Sequence, residues 1–370
     1  MNIIVLTQPL TINYGGLLQA YALQTVLKRA GHTVYTEDRR RNTDQRALWR
    51  RLASKIKYLF YPFVNTPAKE AIISQHTHRF VRENITCTVP VFGTDKTAFK
   101  QYKPEAYIVG SDQVWRPTFS RGIYNYFLDF ARNQDVKRIA YAASFGTDEW
   151  EFTFEQEKVC SELLRKFDKV SVREESAVGL CYQHFGIKPS LVADPTMLLT
   201  ASDYRELIDK DNTVIPPHTI MTYILNHKRS VNYDIVDAVA KLMGCTVIEG
   251  YPRHRGHEVK MSDINKCIVK PVEQWLHGIR DAEYVVTDSF HGTVFSLLFN
   301  KQFLVIDNPV SGSTRLQSIL TRFGLSDRLI STPEDVSATT LSARIDYKML
   351  NPKIEAFRRE SLHYLYDALQ

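Results

Sequence analysis

Cysteine is sparse and scattered in this 370-residue chain: Cys87, Cys160, Cys181, Cys245 and Cys267, with no CxxC pair among them. An odd number argues against a disulfide framework and the wide spacing against a zinc site, so a reducing cytoplasm fits best. No apolar run approaches the roughly 18 residues needed to span a bilayer. No basic n-region or long apolar h-region precedes the first strand-like run, Ile3-Ile4-Val5-Leu6, so no signal peptide is expected. Charge excess is small as well: 47 Lys and Arg against 41 Asp and Glu give a formal net charge of +6. That is compatible with anionic substrates or lipid headgroups, and nucleic acid is not an expected partner. No cluster of ligand-type side chains is visible, so neither a metal nor a resident cofactor is expected. The dinucleotide fingerprint GxGxxG is missing too.

What the chain has in quantity is alternation. Short β-branched runs (Ile3–Thr7, Thr33–Thr36, Ala106–Val109, Arg138–Ala143, Lys169–Val172, Leu191–Ala193) are separated by amphipathic segments such as Leu17–Ala30, Phe154–Phe167 and Glu174–His184. Asp194-Pro195 interrupts the pattern, and a polar stretch runs through Pro216-Pro217. It restarts with Thr219–Leu225, Val231–Met243, Thr246–Glu249, a helix around Val272–Ile279, Tyr284–Thr287, a helix from Thr293, and Phe303–Ile306. Such alternation signals parallel sheets covered on both faces. At this length one core is too few. The expected architecture is α/β, with two doubly wound lobes facing a cleft: residues 1–195, residues 196–345, and a C-terminal helix within 346–370 that packs back on the first lobe. Pro352–Leu369 carries that helix's apolar face. A basic segment, Arg39 to Phe63, has Leu48, Leu52, Ile56, Leu59, Phe60 and Phe63 at helical spacing. It reads either as a surface helix packed on the first lobe or as a helix lying on an anionic membrane surface.

Polar residues gather where strands end. Glu283 to Phe299 reads as strand, tight turn and helix, holding Asp288, Ser289 and His291 at a helix amino terminus suited to an anion. An imidazole there is a proton donor near neutral pH, or else a helix cap or core histidine. Asn13-Tyr14-Gly15-Gly16 opens the first helix, where paired glycines let a ligand approach the backbone or simply make a turn. Gly110-Ser-Asp-Gln-Val-Trp115 presents Asp112 and Gln113 at another strand end, with Asp112 a base, a sugar-orienting group or a turn cap. Arg173 ends a further strand, able to fork onto a carboxylate or phosphate or to pair with Glu174 or Glu175.

Taken in order, these strings, with Ser171-Val-Arg-Glu-Glu-Ser176, Val192-Ala-Asp-Pro195 and Thr287-Asp-Ser-Phe-His-Gly-Thr293, resemble the polysaccharide pyruvyl transferase family over nearly the whole chain. The resemblance implies a fold like the GT-B glycosyltransferases, with two Rossmann-like lobes. It implies transfer of pyruvate from phosphoenolpyruvate, a co-substrate, onto two hydroxyls of a glycan sugar as a cyclic ketal in surface polysaccharide biosynthesis. The acceptor would be a lipid-linked or nucleotide-linked sugar, and the protein cytoplasmic, touching the membrane's inner face through 39–63. Arg173 matches the family's donor-binding arginine and His291 its motif histidine. Ser289, Phe290, Gly292 and Arg315 would complete the donor side. Asn13, Tyr14, Gly15, Gly16 and Gln113 would face the acceptor, with Asp112 or Asp288 taking or orienting a hydroxyl proton. Many members carry Arg-Leu-His where this chain has Ser289-Phe290-His291, and some carry a lysine about twenty residues later. Here Arg315, preceded by a Gly-Ser-Thr turn, is the nearest basic residue. The alternatives are a GT-B nucleotide-sugar glycosyltransferase and a non-catalytic carbohydrate-binding protein of the same fold.

Overall fold

A computed structural model describes residues 1–40, 63–93, 96–120, 122–308 and 313–370. Its strands are β1 (Asn2–Leu6), β2 (Thr33–Thr36), β3 (Arg39–Arg40), β4 (Val91–Phe92), β5 (Ala106–Val109), β6 (Lys137–Ala143), β7 (Lys169–Val172), β8 (Ser190–Leu191), β9 (Thr219–Tyr223), β10 (Thr246–Glu249), β11 (Tyr284–Thr287), β12 (Gln302–Ile306) and β13 (Leu329–Ile330). The described α-helices are α1 (Tyr14–Arg29), α2 (Pro67–Ile73), α3 (Gln75–Asn84), α4 (Phe154–Leu164), α5 (Glu175–Leu180), α6 (Arg205–Ile208), α7 (Val231–Met243), α8 (Val272–Asp281), α9 (Phe290–Leu298), α10 (Ser313–Phe323), α11 (Ala338–Ser342) and α12 (Tyr347–Asp367).

Two large parallel sheets result, and β3 and β4 form a separate parallel pair. One has the order β2-β1-β5-β6-β7-β8, the other β10-β9-β11-β12-β13. The β-branched runs that dictated strands also dictate depth: β5, β9 and β11 are buried at every position. Alternate residues feed different cores. Ile3 and Val5 of β1 and Val285 of β11 belong to one apolar cluster that runs through both halves of the molecule. Ile4 and Leu6 face a second cluster, and Tyr284 and Val286 a third. Parallel strands joined by helices leave their carboxyl ends on one edge, so loops carrying Thr7–Asn13, Gly110–Gln113 and Asp288–Ser289 converge where the two sheets meet.

α1 crosses that junction. Tyr14, its first residue, is fully buried. Its ring stacks on Trp275 with centroids 5.0 Å apart and lies 5.7 Å from Tyr223 and 5.9 Å from Tyr251. Its hydroxyl donates to the Lys270 carbonyl at 2.9 Å. α12 returns to the first sheet: Ser361 Oγ accepts from the Ala193 N–H at 2.8 Å and Lys169 pairs with Asp367 at 2.8 Å.

Several boundaries differ from the sequence reading. α9 starts at Phe290 rather than Thr293, and α12 starts at Tyr347, with Pro352 inside it. The helix after β7 ends at Leu180 and continues as one wide turn, Cys181–Phe185. α2 and α3 went unread; Thr66 and a following proline supply the start of α2. The amphipathic helix expected over 39–63 lies outside the described residues, apart from its ends. Arg39 and Arg40 are strand, paired with Val91 and Phe92 in a two-stranded sheet of their own. All five cysteines are free thiols, and no described helix is long and apolar enough to cross a membrane.

Candidate functional site

A cavity of about 200 Å³ opens at the junction, lined by Asn13, Asp112, Gln113, Phe119, Leu225, Asp288, Ser289, Phe290, His291, Asn308, Arg315 and Leu316. It draws on both halves of the chain. The turn between β11 and α9 forms one wall. Ser289 is the extended N-cap residue of α9 and makes no side-chain capping bond, so its hydroxyl and the first helical N–H groups remain with the cavity. Gly292, expected on the donor side, is not among the residues that line the cavity. A Cβ there would overlap the Thr287 hydroxyl, so glycine serves the close approach of α9 to β11.

His291 is nearly enclosed. Nε2 is buried, without a hydrogen-bond partner, 3.6 Å from Asp194 Oδ2. Nδ1 lies over Gly15, where a Cβ would collide with the imidazole. The paired glycines at the start of α1 therefore make room for a histidine from the opposite sheet. Gly16 brings the backbone up to Asp112, whose Oδ2 would sit 3.4 Å from a Cβ at that position. Asn13 caps α1 through an acceptance from Gly16 N at 3.3 Å and keeps a place on the cavity wall. Tyr14, expected on the acceptor side, is buried in the aromatic cluster between the sheets and offers nothing to a ligand.

Asp194 received no role in the sequence reading, although Asp194-Pro195 was marked as a break. Its carboxylate, beside His291, accepts four hydrogen bonds. Oδ1 accepts from Thr196 N at 3.0 Å and Thr196 Oγ1 at 2.7 Å. Oδ2 accepts from Ser111 Oγ at 2.7 Å and Arg173 Nη1 at 2.8 Å. Burial alone would raise its pKa, but His291 and Arg173, with the Thr196 N–H, hold it well below the usual carboxylate range. An acid followed by proline at the end of a strand was the available signal.

Arg173 sits one layer behind the cavity, not on its wall. Its side chain is enclosed, Nη1 also bonds Ser111 Oγ at 3.1 Å, and Nη2 and Nε lie 3.6 Å from Asp112 and Glu174. The guanidinium is 4.7 Å from the Phe290 ring centre. Burial opposes its charge, yet Asp194, Asp112 and Glu174 raise its pKa. The pairing with Glu174, one of the readings left open, is therefore present but buried. Arg315 is the cation on the cavity wall itself; burial first, and Arg173 next, push its pKa down to about 10. It belongs to α10, which begins at Ser313, so Ser313 and Thr314 are helical rather than a donor turn.

Asp112 adopts φ +78°, a region that Asp and Asn tolerate best among side-chain residues, and its Oδ1 accepts from the next N–H at 2.9 Å. Gln113 leans on Gly146 and is held by Arg116 Nη1 at 3.1 Å. Asp288 stands on the cavity wall. Its carboxylate accepts from Leu225 N at 2.7 Å, Asn226 N at 2.8 Å, and the Asn232 and Asn308 amides at 3.3 Å each. Burial raises its pKa against the N–H donors of Leu225 and Asn226. Oδ2 takes three of these bonds and Oδ1 one, so the carboxylate clamps the segments around Leu225, Asn232 and Asn308 together. Leu225, Asn308, Phe119 and Leu316 joined the lining without having been singled out by position.

Among the described residues no group of three or more His, Cys, Asp or Glu is arranged to hold a metal ion. A comparison with curated proteins finds no match. Solved structures share the fold at low identity. A putative UDP-N-acetylglucosamine 2-epimerase from Listeria monocytogenes has a TM-score of 0.52 at 10% identity, covering 96% of this chain and 90% of that one. The UDP co-structure of S. aureus MnaA has 0.50 at 12%, covering 97% and 90%. The glycotransferase of kitacinnamycin has 0.50 at 12%, covering 98% and 95%. Together with the two parallel sheets, these neighbours make the fold GT-B-like, in agreement with the α/β expectation. The model of the family described as polysaccharide pyruvyl transferase matches residues 13–309, from the cap of α1 through the end of β12. The chain belongs to the polysaccharide pyruvyl transferase family.

Proposed function

We propose that this transferase moves pyruvate from phosphoenolpyruvate onto two hydroxyls of a glycan sugar, closing a cyclic ketal during surface polysaccharide biosynthesis. The observation that carries the reading is the single small cavity in which His291, the amino terminus of α9 and Arg315 meet Asp112 from the other sheet. A phosphate and a carboxylate call for a guanidinium and free N–H groups. At about 200 Å³ the cavity suits a three-carbon phosphorylated acid better than a nucleotide sugar; pockets for drug-sized ligands run to roughly 300–1,000 Å³.

His291 gives a proton to the methylene carbon of the donor, which becomes the ketal methyl group. The central carbon then has oxocarbenium character, and one sugar hydroxyl attacks it, losing its proton to the imidazole. The C–O bond to phosphate breaks, and the second hydroxyl closes the ring as its proton leaves with the phosphate. Asp112 orients the acceptor hydroxyl. In this reading the acceptor is lipid-linked or nucleotide-linked and the reaction cytoplasmic, at the inner face of the membrane, which the basic segment 39–63 would contact.

The test is direct. Purified protein with phosphoenolpyruvate and glycan from the host is expected to release phosphate only when both are present, and the glycan to gain a pyruvate ketal by mass spectrometry. His291→Ala is expected to lower turnover about 10²–10⁴-fold, the usual share of general acid–base catalysis, with its fold intact by circular dichroism. Stabilisation by a nucleotide-diphosphate sugar and none by phosphoenolpyruvate would reverse the reading in favour of a glycosyltransferase.

A further inference from the structure

We propose that Asp194 is a positioning residue that holds His291 in the Nε2–H tautomer, and that Arg173 helps to fix Asp194 in that role.

The proposal rests on geometry. Four donors from three residues, Thr196, Ser111 and Arg173, fix the Asp194 carboxylate. Its Oδ2 is the only carboxylate oxygen paired with His291 among the described residues, at 3.6 Å from Nε2. A buried acceptor facing one ring nitrogen selects the tautomer that carries hydrogen there. Nδ1, on the Gly15 side of the ring, is then the nitrogen that gives and regains a proton. Asp194 stays ionised throughout and moves no proton itself, as in the carboxylate of a Ser-His-Asp triad.

One measurement decides the matter on the full chain. Histidine labelled at the ring nitrogens is observed by long-range proton–nitrogen correlation, with His291→Gln giving the assignment. The unmodified protein is expected to show the neutral His291 ring as Nε2–H, and Asp194→Asn to move the population toward Nδ1–H, since an amide can donate to Nε2. A merely structural carboxylate would leave the tautomer unchanged. An Nδ1–H ring in the unmodified protein overturns the proposal even if Asp194→Asn does not fold.

Discussion

Gly15 owes its identity to a residue 276 positions away in the chain, because the volume a methyl group would take is filled by the His291 ring. Gly15→Ala is therefore expected to cost at least ~1–3 kcal/mol, the scale of forced overpacking. It should also remove most transferase activity by displacing the imidazole. Thermal unfolding together with a donor-consumption assay checks both, and a fully active, equally stable variant would refute the packing argument. The charge at Asp194 makes a pH prediction. Its folded pKa is depressed, with burial opposed by His291 and Arg173. The stability it contributes is therefore complete above the unfolded carboxyl value of about 3.9 and is lost as pH falls below it. At pH 7 Asp194→Asn is expected to cost about 3–5 kcal/mol, as for a broken buried pair, and the gap to the unmodified protein to narrow on acidification below about pH 4. Denaturant titrations at several pH values measure that gap. Residue identity was legible in part: His291 and Asp112 stood out because strand ends in parallel sheets point at a crevice. Hydrogen-bond partners were not legible. Nothing local in the sequence says that Asp288 spends its oxygens on Leu225, Asn226, Asn232 and Asn308 while Asp194 aims one at a histidine.

Elements were read well where one period dominates. α7 over Val231–Met243 and the strands β10 and β11 agree with the sequence to the residue. Errors gather at helix starts, where a residue has two possible meanings. The sequence places α9 from Thr293, yet Gly292 lies inside its first turn, against Thr287. It places the last helix from Pro352, yet Asp346 caps α12 six residues earlier, with its carboxylate accepting from Lys348 N at 2.9 Å and Met349 N at 3.4 Å. Asp346→Ala is expected to cost about 0.5–2 kcal/mol and to speed amide exchange in the first turn of α12 only. Exchange that accelerates along the whole helix would mean that docking, not the cap, holds it.

At the scale of the whole molecule, the two sheets are joined by Tyr14 more than by any charged pair near the cleft. The ring is shared among Trp275, Tyr223 and Tyr251, and only its hydroxyl bond to Lys270 is polar. Tyr14→Phe should cost about 0.5–1.5 kcal/mol, one hydrogen bond, while Tyr14→Ala should cost about 3–5 kcal/mol, a large aromatic core truncation. Tyr14→Ala should also enlarge the radius of gyration in small-angle scattering. An unchanged radius would show that the halves are held elsewhere. The two-lobed GT-B-like form was legible because strand–helix alternation broke and resumed, but the cluster at Tyr14 was not, since it unites residues 14, 223, 251 and 275. The return of α12 has its own consequence. The Ala193 N–H, adjacent to Asp194, is satisfied by Ser361, so during synthesis the strand end that aims Asp194 at His291 waits for a partner made some 170 residues later. A nascent chain halted before α12 would hold both sheets and still lack the bond that satisfies Ala193 beside Asp194.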